Sequence, residues 1–212
     1  DIRDRTTKVL TAYQLIPKGW SISGQTPDEK IAPNGLMIIA GLIWSVKNDT
    51  FTIKIPKVYF AKKIKGNMHG IVTFDGKTLK ELQEFFPDIL TTRVLLGTMA
   101  KVYDSTGILS PLLGSLRSSL RECSANGGCK NWDMPITEEI RAKFIKRMYQ
   151  VELARGMVYP RTQSTKDSIS EGGTLYLFSD ASSEMSQFTS YLSLPRQGGG
   201  WTSQFMGAKN HL

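Results

Sequence analysis

Few residues in this chain have chemistry to offer, and their types exclude more than they admit. Asp180, in Phe178-Ser179-Asp180-Ala181-Ser182, follows an apolar run and reads on its own as a turn residue closing a strand. Cys123 and Cys129 flank Ser-Ala-Asn-Gly-Gly. A disulfide closing that small loop stays open as a reading, and the lack of a secretory signal favours reduced thiols. A zinc site needs more than two cysteines and the two distant histidines, His69 and His211. The net charge of +8 is concentrated at the start, where residues 1–80 hold 13 Lys/Arg against 6 Asp/Glu. Its densest part is Lys54, Lys57, Lys62, Lys63 and Lys65, interleaved with Tyr59 and Phe60. That is the footprint of a polyanion site, and equally that of a solvated, solubilising face.

The elements that position these residues follow from periodicity and punctuation. Residues 5–15 read as a short helix or an edge strand. The nearly continuous apolar run Leu36 to Val46 and the alternating Thr50–Ile55 flank Asn48-Asp49, as the two strands of a hairpin do. Phe51, Ile53 and Ile55 then face the core. Residues 57–77 are basic and punctuated by glycine. Thr78 and Glu81 form a capping box that opens a short helix ending before Pro87. Thr91 caps a helix bearing Val94, Leu95, Met99 and Val102, and Asp104-Ser105-Thr106-Gly107 stops it. Ser110-Pro111 opens a second helix, with the stripe Leu109, Leu112, Leu113, Leu116 and Leu120. Thr137 caps a third, with Ile140, Phe144, Met148 and Val151 inward. Pro160 to Gly173 is a linker by composition. Three strands follow, Thr174–Phe178, Phe188–Leu194 and Trp201–Met206, and open edges on such a meander invite aggregation.

One residue resists a packing account. Gly97 lies mid-helix, where glycine costs about 1 kcal/mol against alanine, and such a glycine marks close approach to the backbone. A tight helix–helix contact is the plain explanation.

Taken in order, several segments resemble the reverse transcriptase region of BEL/Pao-type LTR retrotransposons. Lys18-Gly19-Trp20-Ser21 resembles the element after the polymerase active site. Gly41-Leu42-Ile43-Trp44 with Asp49-Thr50-Phe51 resembles the family's Leu-Gly-x-x-Trp … Asp-x-Phe hairpin. The run from Ala100 to Pro111 resembles Ala-x-x-Phe-Asp-Pro-Leu-Gly-Leu-Leu-Ser-Pro. Asn131-Trp132-Asp133, Val158-Tyr159-Pro160-Arg161 and Phe178-Ser179-Asp180-Ala181-Ser182 resemble its Trp-Asp, Ile-Pro-Arg and Phe-x-Asp-Ala-Ser. The resemblance covers nearly the whole chain.

What it implies is specific. Residues 1–60 would end the palm, with a primer-grip-like hairpin that makes Trp44 a contact. Residues 61–159 would be thumb and connection, 160–173 a linker, and 174–212 the first strands of ribonuclease H. In such a thumb the helix resembling 92–103 lies along the minor groove of the template–primer. Gly97 then admits the sugars, and Arg93, Thr98 and Lys101 reach phosphates or sugars, assisted by the basic run 54–65. Asp180 would be the first metal-binding carboxylate of ribonuclease H, a chemistry that needs two divalent ions about 4 Å apart and more than one carboxylate. Mg²⁺ is implied for the intact parent enzyme, and no tight binding by these residues alone. The segment 183–187 departs from the small, glycine-containing pattern usual there. No Asp-Asp pair occurs, so the polymerase carboxylates are missing.

The sequence therefore leads us to expect an α+β fold and a fragment of a longer, intracellular polyprotein, cytoplasmic or nuclear and not secreted. Its partners would be an RNA–DNA or DNA duplex and the rest of the polyprotein, not a membrane, and by itself it would neither polymerise nor cleave. The alternative is a non-catalytic interaction or structural module of the same descent.

Overall fold

The computed structural model describes residues 1–212 apart from 18, 28, 60, 61, 65, 66, 70, 71, 74, 75, 126–130, 163–166, 170, 184 and 212, with side chains described outside 58–75. It is an α+β chain whose sheets are antiparallel. Helix α1 (Ile2–Ala12) is capped by Asp1 and has no buried residue. Strands β1 (Leu36–Ile39), β2 (Leu42–Ser45) and β3 (Thr50–Ile53) form a meander joined by β8 (Val158–Pro160) in the order β1-β2-β3-β8. Between them in sequence lie two short ribbons, β4 (Val58–Tyr59) with β7 (Val72–Thr73) and β5 (Lys62–Ile64) with β6 (Asn67–His69).

The apolar run 36–46 is thus two strands, not one. Ala40 and Gly41, with φ of 47° and 79°, turn the chain between them, the positive-φ pair that a two-residue hairpin needs. Gly41 has a second reason to be glycine: a Cβ there would lie 2.4 Å from Tyr103 Cδ1 and 2.9 Å from its carbonyl oxygen. The alternation in β3 holds, since Ile53 and Ile55 are buried and Phe51 packs against them.

Helices α2 (Leu79–Phe85), α3 (Thr92–Met99), α4 (Ser110–Ala125) and α5 (Glu138–Leu153) follow. Both bonds of the Thr78–Glu81 capping box form, and Thr91 and Thr137 cap α3 and α5. One core joins the layers: Leu42 and Ile53 of the sheet, Leu82 of α2, Leu95 of α3, Leu113 and Leu116 of α4, and Phe144 and Met148 of α5. The expected stripe of α5 is fully inside. Two arginines on or next to α5 stitch this core together. Arg141, itself buried, donates to the carbonyls of Gln83, Phe86 and Pro87, the unmatched acceptors at the end of α2. Arg155, just past α5, donates to the Ile55 and Pro56 carbonyls beyond β3.

Strands β9 (Thr174–Ala181), β10 (Ser186–Pro195) and β11 (Trp201–His211) form the last sheet, in the order β11-β10-β9. β9 is exposed along its whole length. β11 runs five residues beyond the expected end at Met206, because a register shift lets Gly207 pair with Ser190 after Phe205 has paired with Tyr191. That bulge, leaving Met206 unpaired, carries β11 onto the corner between α3 and α4. Among the described residues no helix is long and apolar enough to cross a membrane.

Candidate nucleic-acid interface

Helix α3 presents two unlike faces. Thr92, Leu95 and Thr98 are buried, while Arg93, Leu96, Gly97 and Ala100 are exposed. A Cβ placed on Gly97 meets nothing within 4 Å, so among the described residues no neighbour requires the glycine and the helix–helix contact does not occur. Lys101, one turn further on, is exposed. Residues 93, 97 and 101 recur every four positions and make a strip of cation, bare backbone, cation.

Arg93 is committed in part. Its Nε and Nη2 donate to Asp133 Oδ1 and Oδ2 at 2.7 and 3.0 Å, and its N–H donates to the Trp132 carbonyl at 3.0 Å. The guanidinium holds the Asp133 carboxyl below its ordinary range. Aspartate of the Trp-Asp motif is therefore a structural partner that fixes the loop before α5 against the start of α3. Thr98 is placed inside: its hydroxyl donates to the Val94 carbonyl at 2.8 Å, so it does not face a ligand.

Trp44 is likewise interior, packed with Ala32 and Val46. Its Nε1 donates to Asp49 Oδ1 at 3.0 Å, the Arg161 guanidinium lies 5.4 Å from the ring centroid, and Arg161 donates to both Asp49 oxygens. Ser23 adds a bond to Asp49. The arginine bonds, with Ser23 and Trp44, draw the Asp49 carboxyl below its ordinary range despite partial burial. This cluster locks the β2–β3 turn to the segment after β8 and leaves Trp44 no open surface for a primer strand. Lys54 and Lys57 are exposed. Lys62, Lys63 and Lys65 lie outside the residues whose side chains are described, as does Cys129; Cys123 is buried in α4.

Asp180 stands within β9, opposite Gln187 of β10, and accepts a hydrogen bond from the Ala181 N–H at 2.9 Å. Two shallow clefts flank it, one shared with Lys209 and His211 and the other with Met185 and Thr189. Among the described residues no group of three His, Cys, Asp or Glu side chains is placed to hold a metal ion. A carboxylate that, among the described residues, shares its cleft with a lysine and not with further carboxylates does not fit a two-ion centre.

The residues that sequence reasoning passed over sit at the α3–α4 corner. Asp104 Oδ1 accepts from the Gly107 N–H at 2.8 Å and Oδ2 from the Leu109 N–H at 2.7 Å, with Thr106 Oγ1 also donating. It is thus the cap that turns the chain into α4. Gly107, with φ of 77°, touches β11 so closely that a Cβ would fall 1.7 Å from the Ala208 carbonyl oxygen. The Ala208 N–H donates to the Thr106 carbonyl at 3.1 Å. Buried Asn210 donates to the Ser110 carbonyl and accepts from Arg117. The Asp-x-x-Gly spacing was the available signal for the cap; nothing in the sequence signals that β11 arrives there.

A family model described as the Pao retrotransposon-like RNaseH-like domain matches residues 91–212. No curated protein and no solved structure matches the chain. The match takes in the α3–α4 corner, α5 and the β9–β11 sheet, and Gly107, Asn210 and Arg117 join that corner and α4 to β11. With more than half of its residues inside that match, the chain belongs to the family of Pao retrotransposon-like RNaseH-like domains.

Proposed function

We propose that this chain is the part of a BEL/Pao-type reverse transcriptase polyprotein that runs from the end of the palm through the thumb into ribonuclease H, and that it holds template–primer duplex without catalysing. The observation that carries the reading is the α3 strip: an exposed glycine that no packing requires, set between Arg93 and Lys101. A duplex groove laid on that strip meets bare backbone at its centre and cations at its rims, the arrangement that positions a nucleic acid through its phosphates without reading sequence. Lys54 and Lys57 are further exposed cations that this reading assigns to the duplex, and Lys62, Lys63 and Lys65 follow them in sequence.

In this reading 1–60 completes a palm, 61–159 is thumb and connection, 160–173 links, and 174–212 opens the ribonuclease H sheet. Mg²⁺ serves the intact enzyme through carboxylates besides Asp180. The partners are an RNA–DNA or DNA duplex and the rest of the polyprotein, inside the cell. The test is binding of a fluorescein-labelled RNA–DNA hybrid followed by anisotropy. Lys101→Glu and the Lys54→Glu/Lys57→Glu pair each weaken binding roughly tenfold, the loss of one or two phosphate contacts. Affinity unchanged in both, or Mg²⁺-dependent primer extension or hybrid cleavage by this chain alone, contradicts the reading.

A further inference from the structure

Between the α3–α4 corner and β11 lies a cleft of about 510 Å³ that the duplex reading leaves unused; its wall includes Tyr103, Asp104, Arg117, Lys209 and Asn210. This is the size class of sites that take a ligand of nucleotide dimensions, not a duplex. Its electrostatics are positive. Arg117 donates to the neutral Asn210 amide oxygen, and neither it nor Lys209 forms an ion pair with a described carboxylate. Among the described residues of the wall the carboxylate is that of Asp104, which is taken up by the Gly107 and Leu109 N–H groups and the Thr106 hydroxyl.

Tyr103 supplies the second element. It is a large aromatic side chain 58% exposed, yet it is not loose, because its Cβ and ring edge lie against Gly41 at a distance that admits no side chain on that residue. A fixed, open ring beside two cations that no described carboxylate neutralises is a stacking platform of the kind that binds single strands regardless of sequence. Lys209 also lines the cleft that holds Asp180, so one cation borders both places.

We infer that this cleft binds a nucleotide unit of single-stranded nucleic acid, with the base on Tyr103 and the phosphate on Arg117 and Lys209. The inference rests on the proposed nucleic-acid function but on different residues, which lets the two fail separately. The probe is a short fluorescein-labelled oligothymidylate, titrated by anisotropy at low salt beside the RNA–DNA hybrid. Tyr103→Ala and Lys209→Glu each weaken oligothymidylate binding roughly tenfold, within the range of one lost base stack or phosphate contact. Tyr103→Phe, which keeps the ring, binds as the parent does. Lys209→Glu replaces an exposed strand residue and decides the matter if Tyr103→Ala melts early. No binding of the oligothymidylate, or equal binding by parent, Tyr103→Ala and Lys209→Glu, overturns the inference while leaving hybrid binding through Lys101 intact. Strand binding that persists while Lys101→Glu has no effect on the hybrid strikes instead at the duplex reading.

Discussion

Alanine at Gly97 separates the two things a mid-helix glycine can be for. A Cβ there meets nothing within 4 Å, so the substitution removes glycine's backbone-entropy penalty and introduces no clash. The expected gain is about 0.8–1 kcal/mol, which for a chain of this size raises the melting temperature by roughly 2–4 °C. Binding moves the other way. If the sugars of a duplex rest on the bare backbone, a methyl holds them off, and the hybrid loses affinity by roughly fivefold, the equivalent of about 1 kcal/mol. Gly97→Leu, with a bulkier side chain on the same exposed face, loses more. The assays are a thermal melt by circular dichroism and an anisotropy titration with labelled hybrid on the same preparations. A protein that melts higher and binds equally well refutes a contact at Gly97. One that melts lower refutes the geometry on which the argument stands.

Further outcomes follow from the locks around this helix. Asp49→Asn weakens the bonds from Arg161 and Trp44 and costs about 1–3 kcal/mol near neutral pH. Because folding lowers the Asp49 pKa, its stabilisation is complete above the unfolded-state value and is lost as pH falls through the folded-state value. Urea midpoints of parent and Asp49→Asn therefore converge on acidification through the carboxylate range, and a constant gap from neutral to strongly acidic pH would speak against this. Gly107→Ala forces a Cβ against the Ala208 carbonyl oxygen at a position with φ of 77° and destabilises by at least about 2 kcal/mol; an unchanged urea midpoint would mean that β11 does not dock on the corner. Ala40, at φ of 47°, is strained for its type, so Ala40→Asn raises stability by about 0.5–1 kcal/mol in a thermal melt.

The helical half was legible because its signals are local. Thr78, Thr91 and Thr137 announce their helices through the first turn, and the α5 stripe needs only its own spacing. The turn at Ala40-Gly41 was hidden because it sits inside an unbroken apolar run, where composition shows no stop. Trp44 and Thr98 are contacts only by the family resemblance, Trp44 on the primer-grip-like hairpin and Thr98 beside Gly97. Each finds its partner inside, the indole on Asp49 and the hydroxyl on the Val94 carbonyl one turn back, a local bond that lets threonine be buried. The β11 extension was illegible for a different reason. Gly207, Ala208 and Asn210 have little strand propensity of their own, and it is docking on Thr106, Gly107 and Ser110 that makes them a strand.

The central claim, that the α3 surface grips a nucleic-acid backbone, is tested most directly by the salt dependence of hybrid binding. With Lys101, Lys54 and Lys57 exposed and Arg93 shared with Asp133, the account predicts two to four neutralised phosphates. The plot of log affinity against log salt then falls with a slope of about −1.8 to −3.6, which is roughly 12- to 150-fold between 50 and 200 mM. A slope near zero, or no binding at the lowest salt, would contradict it.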